Sequence, residues 1–355
     1  MKFDAVVGNP PYQEETAVQL SAVNGQAPRK NIFHFFQIAA DNVSNGATSL
    51  IYPGGRWIHR FGKGVGMAQF GLDQINDVHL EKIDFFVDAS EIFSEVAIAD
   101  GISFVYKNMK KETPGFSYVY HKNGNTITVH MENPGENLIP LNPQDGSVVN
   151  KVVNFVNENQ LGFLHNRVLP RDFFGIESNF VENNPDKVKL LTETSSIDFG
   201  HEIKLFANDK AGKAGRSTWY IANRNVIQSN PQYIDEWQVV VSSANAGGQK
   251  RDNQIEIIDN HSAFGRSRVA LGTFKTKQEA INFYNYCCTN LIRFMFLMTD
   301  ESLTSLGKKV PDILDYSGHN KIIDFDKELN AQLNELFELS PEEVTYIENV
   351  LKEIR

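Results

Sequence analysis

Residues 3–12 read FDAVVGNPPY, and the fold prediction for this chain starts from them. The run FDAVVG is apolar and β-branched and meets a Gly-Asn-Pro-Pro turn, which predicts a buried strand that ends abruptly. A helical pattern follows, and residues 47–53 (ATSLIYP) predict a second strand. This order predicts a βαβ unit with two parallel strands covered on both faces. The residues predicted to share the apolar helix face are Ile32, Phe35, Phe36, Ala39, Ala40 and Val43.

The rest of the chain predicts an α/β domain followed by a mixed α+β domain with C-terminal helices. Residues 63–76 and 277–298 are predicted helices, residues 81–87 a strand, residues 101–107 with 115–121 an antiparallel pair, and residues 133–146 a linker. Ser340 and Glu343 predict a capping box at the start of the last helix. The predicted domains are residues 1–140, residues 147–322 and a C-terminal helical segment, residues 323–355.

The composition suits two domains of ordinary size, since 41% of the 355 residues are hydrophobic and 11% are aromatic. The longest strongly apolar run, residues 291–298, contains Arg293 and is too short to cross a bilayer, so no membrane partner is expected. No signal peptide is recognisable, which predicts a cytoplasmic protein. Cys287 and Cys288 are adjacent in an apolar segment and are predicted core residues, and no metal site is expected.

The net charge of −10 is unevenly distributed. Residues 201–310 hold 14 Lys and Arg against 10 Asp and Glu, a local +4, whereas residues 324–355 hold 3 against 9, a local −6. The middle of the chain therefore suits a polyanionic partner, and the tail does not.

The tetrapeptide Asn9-Pro10-Pro11-Tyr12 combines groups that suit one kind of chemistry. An Asn side-chain carbonyl and a proline backbone carbonyl outside a strand ladder can both accept hydrogen bonds from an exocyclic base amine, which localises its lone pair for attack on a methyl sulfonium. Two prolines hold those oxygens rigidly, and Tyr12 can stack on a base flipped out of the duplex. The alternative is a plain turn that ends a strand.

Several segments resemble a known family. FDAVVGNPPY resembles motif IV of the amino-methyltransferases, IYPGGRW (residues 51–57) the motif that follows it, and ASEIFSEVAIADGISFVYK (residues 89–107) the motif VIII region. Residues 267–286, 309–316 and 324–348 resemble a TaqI-like target-recognition domain. The chain thus resembles the C-terminal portion of an adenine-specific DNA methyltransferase from a long type II restriction-modification system, and the first domain would be a partial doubly wound, Rossmann-like methyltransferase sheet.

The resemblance assigns roles to five residues. Asn9 and the carbonyl of Pro10 would hold the adenine amine, Pro11 would stiffen the turn, Tyr12 would stack on the flipped base, and Phe93 would be a second base contact. Two other function classes stay open: a catalytically inactive DNA-recognition module, and a protein-glutamine or RNA methyltransferase.

The resemblance also implies S-adenosylmethionine as cofactor, bound through a glycine-rich loop upstream of the Asn-Pro-Pro-Tyr motif. Only eight residues precede the motif here, and neither residues 62–71 (GKGVGMAQFG) nor residues 269–274 (VALGTF) fit such a loop. The cofactor-binding residues are therefore unknown, and the apolar edge formed by Ala5, Val6 and Val7 needs a cover. A separate upstream polypeptide, a longer parent chain or another copy of this chain could provide it.

Double-stranded DNA is the expected partner of the second domain. Residues 212–220 combine flexible glycines, cations and aromatics, a composition suited to phosphate contact and base stacking. Ordinary solvated loops are the alternative. The candidate DNA-binding residues are Lys213, Arg216, Trp219, Tyr220, Lys250, Arg251, Arg266 and Arg268.

Overall fold

The computed structural model describes residues 2–15, 29–59, 67–95, 98, 101–132, 139–249, 251–298 and 303–354. Lys250, residues 62–66 of the glycine-rich segment, residues 96, 97, 99 and 100 after Phe93, and residues 133–138 of the predicted linker lie outside these ranges. The chain divides into two compact units, Met1–Ser147 and Val148–Arg355. In the described ranges, no helix is long and apolar enough to span a membrane.

The first unit is built on strands that form a six-stranded mixed sheet and a separate two-stranded ribbon. In chain order they are β1 (Phe3–Gly8), β2 (Gln13–Glu15), β3 (Arg29–Asn31), β4 (Ser44–Pro53), β5 (Leu80–Phe86), β6 (Ile102–Asn108), β7 (Phe116–Lys122) and β8 (Asn125–Met131). The sheet has the order β1-β4-β6-β5-β7-β8, and β2 pairs with β3. The parallel pairing of β1 with β4 confirms the predicted βαβ unit.

The helices of the first unit are α1 (Phe33–Val43), α2 (Arg56–His59) and α3 (Met67–Ile75). The helix predicted after the first strand is confirmed, but most of its predicted apolar face is not in the core. Of the predicted residues, Ala40 is buried and Phe35 and Phe36 are exposed, and the buried Phe33 and Gln37 were not predicted. The first strand was predicted to be buried, and this is also wrong: β1 is an edge strand, and Val7 is 76% exposed. The unit therefore leaves an apolar helix face and an apolar strand edge uncovered in the described structure.

The predicted antiparallel pair of residues 101–107 with 115–121 is wrong, although both segments are strands. β6 lies between β4 and β5 and is antiparallel to each, and β7 lies on the far side of β5. Alternation of apolar and polar residues identifies a strand, but it carries no information about which strand becomes its neighbour. Because β6 runs against both neighbours, β1, β4 and β5 all point in one direction and end at the same edge of the sheet.

The described residues of the second unit form three sheets. Their strands are β9 (Gly162–Phe163), β10 (Val188–Leu190), β11 (Glu202–Asn208), β12 (Ser217–Asn223), β13 (Trp237–Ser242), β14 (Glu256–Ile258), β15 (Ser262–Phe264), β16 (Arg268–Phe274) and β17 (Pro311–Asp312). The sheet orders are β10-β12-β11-β15, β14-β13-β16 and β17-β9. Along β13, Val239 and Val241 pack into one core, and Val240 packs into another. The three-stranded sheet is thus buried on both faces.

The remaining helices are α4 (Pro143–Glu158), α5 (Phe180–Asn183), α6 (Lys277–Cys287), α7 (Asn290–Leu297), α8 (Leu329–Leu336) and α9 (Pro341–Ile354). The larger core of the second unit includes residues of α6, α7, α8 and α9, for example Phe283, Phe294, Leu333 and Ile347. The predicted fold class is confirmed: an α/β chain with a partial doubly wound sheet, followed by a mixed α+β part with C-terminal helices.

Two predicted boundaries in this part are wrong. The single helix predicted for residues 277–298 is two helices, because α6 ends at Cys287 and α7 begins at Asn290. The predicted linker overlaps the start of α4, since Pro143 occupies a first-turn position that a helix accepts without loss of a hydrogen bond. The Ser340 capping box is confirmed: Glu343 N donates to Ser340 Oγ at 3.3 Å, and Ser340 N donates to Glu343 Oε2 at 2.8 Å.

Candidate functional site

The turn at residues 9–12 lies at the edge of the sheet where the parallel strands end. Gly8, the last residue of β1, is aligned with Leu50 of β4, so the turn begins beside the last residues of β4. Asn9 and Pro11 are exposed, and Pro10 is buried. In open α/β sheets, ligands bind in the crevice outside the carboxyl ends of the strands, and this turn occupies that kind of position.

A short ribbon anchors the far side of the turn. Ile32 N donates to Tyr12 O at 3.0 Å, and Gln13 Nε2 donates to Asn31 Oδ1 at 3.0 Å across the β2-β3 pair. The half-buried Tyr12 ring packs against the core of the first unit, and this burial raises the pKa of its phenol. The turn is therefore held at both ends, by the β1-β4 ladder on one side and the β2-β3 ribbon on the other.

The residue types of the turn make it an acceptor site. Pro10 and Pro11 have no N–H, and the Asn9 side chain offers a carbonyl oxygen to solvent. A rigid pair of oxygens beside a partly buried aromatic ring can accept hydrogen bonds from a planar amine and stack against its ring.

The loop that follows β4 is tightly packed. Trp57 Nε1 donates to Ser103 Oγ at 2.9 Å, and Ser103 Oγ donates to Gly54 O at 2.9 Å. A Cβ added at Gly55 would lie 2.5 Å from Leu141 Cδ1 and 2.9 Å from the Phe85 ring, so a larger residue requires these side chains to move. Gly55 of IYPGGRW thus lies in a closely packed position of the described structure.

Of the two glycine-bearing segments considered for the cofactor, residues 62–66 of the first lie outside the described residues, and the second lies inside a sheet. Residues 269–274 belong to β16 of the three-stranded sheet, and a Cβ at Gly272 would lie 3.2 Å from the Phe274 ring. Residues 269–274 are therefore a strand and not an open glycine-rich loop for S-adenosylmethionine. Within the part of the chain that the structure describes, no three His, Cys, Asp or Glu side chains are grouped to hold a metal ion.

An apolar groove of about 340 Å³ adjoins Asn9. Residues of β1 and the turn form one wall, and exposed residues of α1 form the other. The lining residues include Val7, Asn9, Pro10, Phe36, Ala39 and Val43. The helix face that the sequence predicted for the core therefore lines this groove instead.

Phe93 lies in the loop after β5, at the same sheet edge as the turn. A short 3₁₀ helix (Ala89–Glu91) precedes it, Asp88 Oδ1 accepts from Ser90 N at 2.9 Å, and Phe93 N donates to Ala89 O at 2.9 Å. The ring is half-buried. The topology thus brings Phe93 and Asn9 to one edge, at the ends of strands that β4 and β6 separate.

Two of the candidate DNA-binding residues, Lys213 and Arg216, lie in the β11-β12 hairpin. Both are exposed in its loop, where Asp209 Oδ1 accepts from Arg216 N at 2.7 Å. Trp219 is half-buried and packs edge-to-face on Phe206, with ring centroids 5.1 Å apart. Tyr220 does not belong with them: it is only 8% exposed and packs in the core, because neighbouring strand residues point to opposite faces.

The other arginines are mostly engaged within the protein. Arg268 Nη2 lies 2.6 Å from Glu256 Oε1, its guanidinium lies 4.6 Å from the Phe206 ring centroid, and its side chain is 12% exposed. Arg268 therefore stabilises the sheet and is not accessible for a DNA contact. Arg266 Nη1 donates to both Glu177 carboxylate oxygens, at 2.9 and 2.7 Å. Arg251 is exposed, and Lys250 lies outside the described residues.

With this geometry established, comparisons with known proteins give one family match. Residues 1–93 match the family model described as Eco57I restriction-modification methylase, so the segment that carries Asn9 to Phe93 is similar to a restriction-modification methyltransferase. A search of curated proteins finds no match.

Solved structures of restriction-modification proteins show distant similarity. The type IIG restriction endonuclease BpuSI matches with 9% identity and a TM-score of 0.40 over 99% of this chain and 53% of that chain. The type IIL restriction-modification enzyme MmeI, solved in complex with DNA, matches with 10% identity and a TM-score of 0.40 over 99% and 53%. A type I methyltransferase subunit from Streptococcus thermophilus matches with 14% identity and a TM-score of 0.23 over 36% and 29%. This chain spans about half the length of the first two and less than a third of the last.

Proposed function

We propose that this chain carries the base-binding turn and the DNA-recognition part of an adenine-specific DNA methyltransferase in a restriction-modification system. One observation carries the proposal: the family match covers residues 1–93, and inside it Asn9, Pro10, Pro11 and Tyr12 follow a parallel strand at the ligand-binding edge of the sheet. The exposed Asn9 amide and the partly buried Tyr12 ring support this role.

The turn would act on a flipped adenine. Asn9 Oδ1 and the Pro10 carbonyl would accept the two hydrogens of the exocyclic amine, and the lone pair of the nitrogen would become available for attack. Pro11 would keep the two acceptors at a fixed spacing, and the ring of Tyr12 would stack on the base. S-adenosylmethionine, when bound, supplies an electrophilic methyl group to this amine. Phe93, at the same sheet edge, would be a second base contact.

A partner would complete the first unit. Val7 and the groove between β1 and α1 are apolar and open, and an unpaired strand edge of this kind is normally covered. The cover would be an upstream polypeptide, a longer parent chain or a second copy of this chain. The resemblance to the amino-methyltransferases places the S-adenosylmethionine loop upstream of the Asn-Pro-Pro-Tyr motif, so the partner would also contribute the cofactor-binding loop.

The DNA interface would lie on the second unit, within the proposed recognition domain of residues 147–322, followed by the helical segment of residues 323–355. Lys213, Arg216 and Arg251 are exposed, so they would contact phosphates, and Trp219 would support the hairpin. Tyr220 and Arg268 are left out of this surface because both are largely buried, and Arg266 would have to leave Glu177 to join it.

The decisive experiment measures transfer of labelled methyl groups from S-adenosylmethionine to duplex DNA, by the chain alone and with the polypeptide that supplies the cofactor loop. Asn9→Ala should lose transfer with DNA affinity unchanged, and Asn157→Ala, an exposed asparagine on α4, should behave like the wild type. The product should be adenine methylated on its exocyclic nitrogen, identified by mass spectrometry. Transfer retained in Asn9→Ala would rule out the proposed role of Asn9, and a methylated cytosine would rule out adenine as the target.

The exposed cations Lys213, Arg216 and Arg251 would equally serve one alternative, a DNA-recognition module without catalysis. Calorimetric titration with S-adenosylmethionine beside a DNA shift assay at two salt concentrations separates the two. Salt-sensitive DNA binding by a chain that no added polypeptide makes active would favour the recognition module.

A further inference from the structure

Leu314 has a backbone conformation that is unusual for leucine. Its φ angle is +67°, and Asp315 N donates to Ile313 O at 2.8 Å across it. A hydrogen bond over three residues with a positive φ at the centre is the rare and strained form of the γ-turn. The side chain of Leu314 is 56% exposed, so its own burial does not offset this strain.

A buried polar network imposes the turn. Asp312 is buried; its Oδ1 accepts from Leu314 N at 2.8 Å, and its Oδ2 accepts from Arg167 Nε at 2.6 Å. Arg167 Nη2 then donates to Leu314 O at 2.7 Å, so the peptide groups on both sides of Leu314 are fixed.

The side chain of Asn320 also holds this turn through two hydrogen bonds. Asn320 Nδ2 donates to Ile313 O at 3.2 Å and to Asp315 O at 2.6 Å, and the side chain of Ile313 is buried. None of these contacts holds the side chain of Leu314, which is exposed. Strain maintained by surrounding structure is concentrated at functional sites in proteins.

Residues 308–321, the segment that contains this leucine, hold three lysines (308, 309 and 321) against two aspartates (312 and 315), a charge balance that favours a nucleic acid over an apolar protein surface. Lys308 and Lys321 are exposed, and Lys321 directly follows the clamping residue Asn320. Of the two carboxylates in residues 308–321, Asp312 is neutralised by its ion pair with Arg167, which leaves Asp315. A rigid apolar side chain among cations is the combination that DNA-bending proteins use when they insert leucine between base steps.

We propose that Leu314 is a wedge that inserts between stacked base pairs of duplex DNA and helps to open the helix. This proposal rests on the proposed function, since it requires that the chain binds DNA. Opening a base step costs free energy before any base can be extruded, and a preformed wedge lowers that cost. Leu314 would be a positioning residue, because it acts on the DNA helix and not on the reacting atoms.

The test compares affinities for a random-sequence duplex and for the same duplex with one central abasic site, in which the stacking is already interrupted. The wild type should prefer the abasic duplex about tenfold, which corresponds to about 1.4 kcal/mol. Leu314→Ala and Leu314→Gly should bind both duplexes nearly equally, and Leu314→Met should keep the preference. Glycine accepts the positive φ, so Leu314→Gly should not lower the melting temperature, and the loss of preference is then not a loss of fold.

Leu190→Ala is the matched control, because Leu190 is a 53% exposed leucine on β10 of the same unit. It should keep the wild-type preference. An unchanged preference in Leu314→Ala, or no preference in the wild type, would overturn the wedge and leave DNA binding intact. A wild type that binds neither duplex would overturn the proposed function itself. A Leu314→Ala variant that changes only the oligomeric state would identify a protein contact and also overturn the wedge.

Discussion

The Nζ of Lys107 lies 2.7 Å from Oδ2 of Asp77, and it also lies 2.8 Å from Oδ2 of Asp41. The Lys107 side chain is only 1% exposed, and it projects from the centre of the sheet on β6. A buried ammonium group is tolerated only where partners compensate its lost hydration. This cluster therefore ties together the sheet, the last turn of α1 and the segment after α3.

Asp77→Asn should lower the free energy of unfolding by about 2 kcal/mol at neutral pH, because Lys107 loses one of its two charged partners. Partial burial raises the pKa of Asp77, but the hydrogen bond and charge of Lys107 outweigh it and hold the pKa below its ordinary value. A lowered carboxyl pKa stabilises the fold above the pKa of the unfolded chain, about 3.9, and this contribution disappears as the pH falls through the folded value. Urea unfolding over the acid range should show a smaller pH dependence in Asp77→Asn than in the wild type. Asp73→Asn, at an exposed helix position, should follow the wild type.

Gly46→Ala should weaken the anchoring of β1. A Cβ at this position would lie 2.0 Å from the Asp4 carbonyl oxygen, so β1 must move away from β4. We expect a loss of about 1–3 kcal/mol in unfolding free energy and reduced methyl transfer by the completed enzyme. Gly146→Ala is the opposite case, because its Cβ would have ordinary contact at 3.8 Å inside α4, and a gain of about 0.5–1 kcal/mol is expected. Thermal unfolding of both variants should show a loss of stability for Gly46→Ala and a gain for Gly146→Ala. Equal changes in stability would contradict the close approach of β1 at Gly46.

Val7→Lys should reduce association through the open edge of the first unit. A lysine on an edge strand opposes the approach of another strand, and Val7 is the most exposed residue among the large hydrophobics of β1. Light scattering should show less concentration-dependent association for this variant than for the wild type, and binding to a completing polypeptide should weaken. Val78→Lys, in the turn before β5, adds the same charge away from the edge and should have no such effect. Unchanged association in Val7→Lys would locate the partner surface elsewhere.

Combined replacement of Lys213 and Arg216 by alanine should reduce the salt dependence of DNA binding. Each lost phosphate contact should change the slope of log K against log salt by about 0.9, so the pair should change it by about 1.8. Lys327→Ala, which removes a cation paired with Asp324 in the acidic segment, is the control and should leave the slope unchanged. A slope that the double variant does not change would place the phosphate contacts on other residues.

The first part of the fold could be predicted because its signals are local. The Gly-Asn-Pro-Pro turn, the helical period and the run at residues 47–53 each depend on residues close in sequence, and the parallel β1-β4 pair follows from their order. The buried face of α1 could not be predicted, because apolar residues occur almost all around this helix. The polar residue Gln37 is buried instead, because its Nε2 donates a hydrogen bond at 3.2 Å to Oγ1 of Thr48 in the next strand.

The accessibility of the candidate DNA contacts could not be predicted from local sequence signals either. Composition singled out Arg268 and Tyr220 as accessible groups, but it could not reveal that Glu256 lies 2.6 Å from Arg268 or that Tyr220 points into the core. The conformation of Leu314 could not be predicted, although residues 309–316 resemble part of a target-recognition domain, because it depends on Arg167, which is far away in sequence. Contacts between distant residues decided each of these cases.

The two prolines after β1 set the length of any strand that joins the open edge. A strand added beside β1 needs N–H donors and carbonyl acceptors along its whole ladder, and neither Pro10 nor Pro11 has an N–H. Hydrogen bonding along this edge must therefore stop near Gly8, whatever the sequence of the incoming strand. The prolines therefore end the pairing: a partner strand can pair fully with β1 and still leave Asn9 uncovered for the proposed adenine substrate.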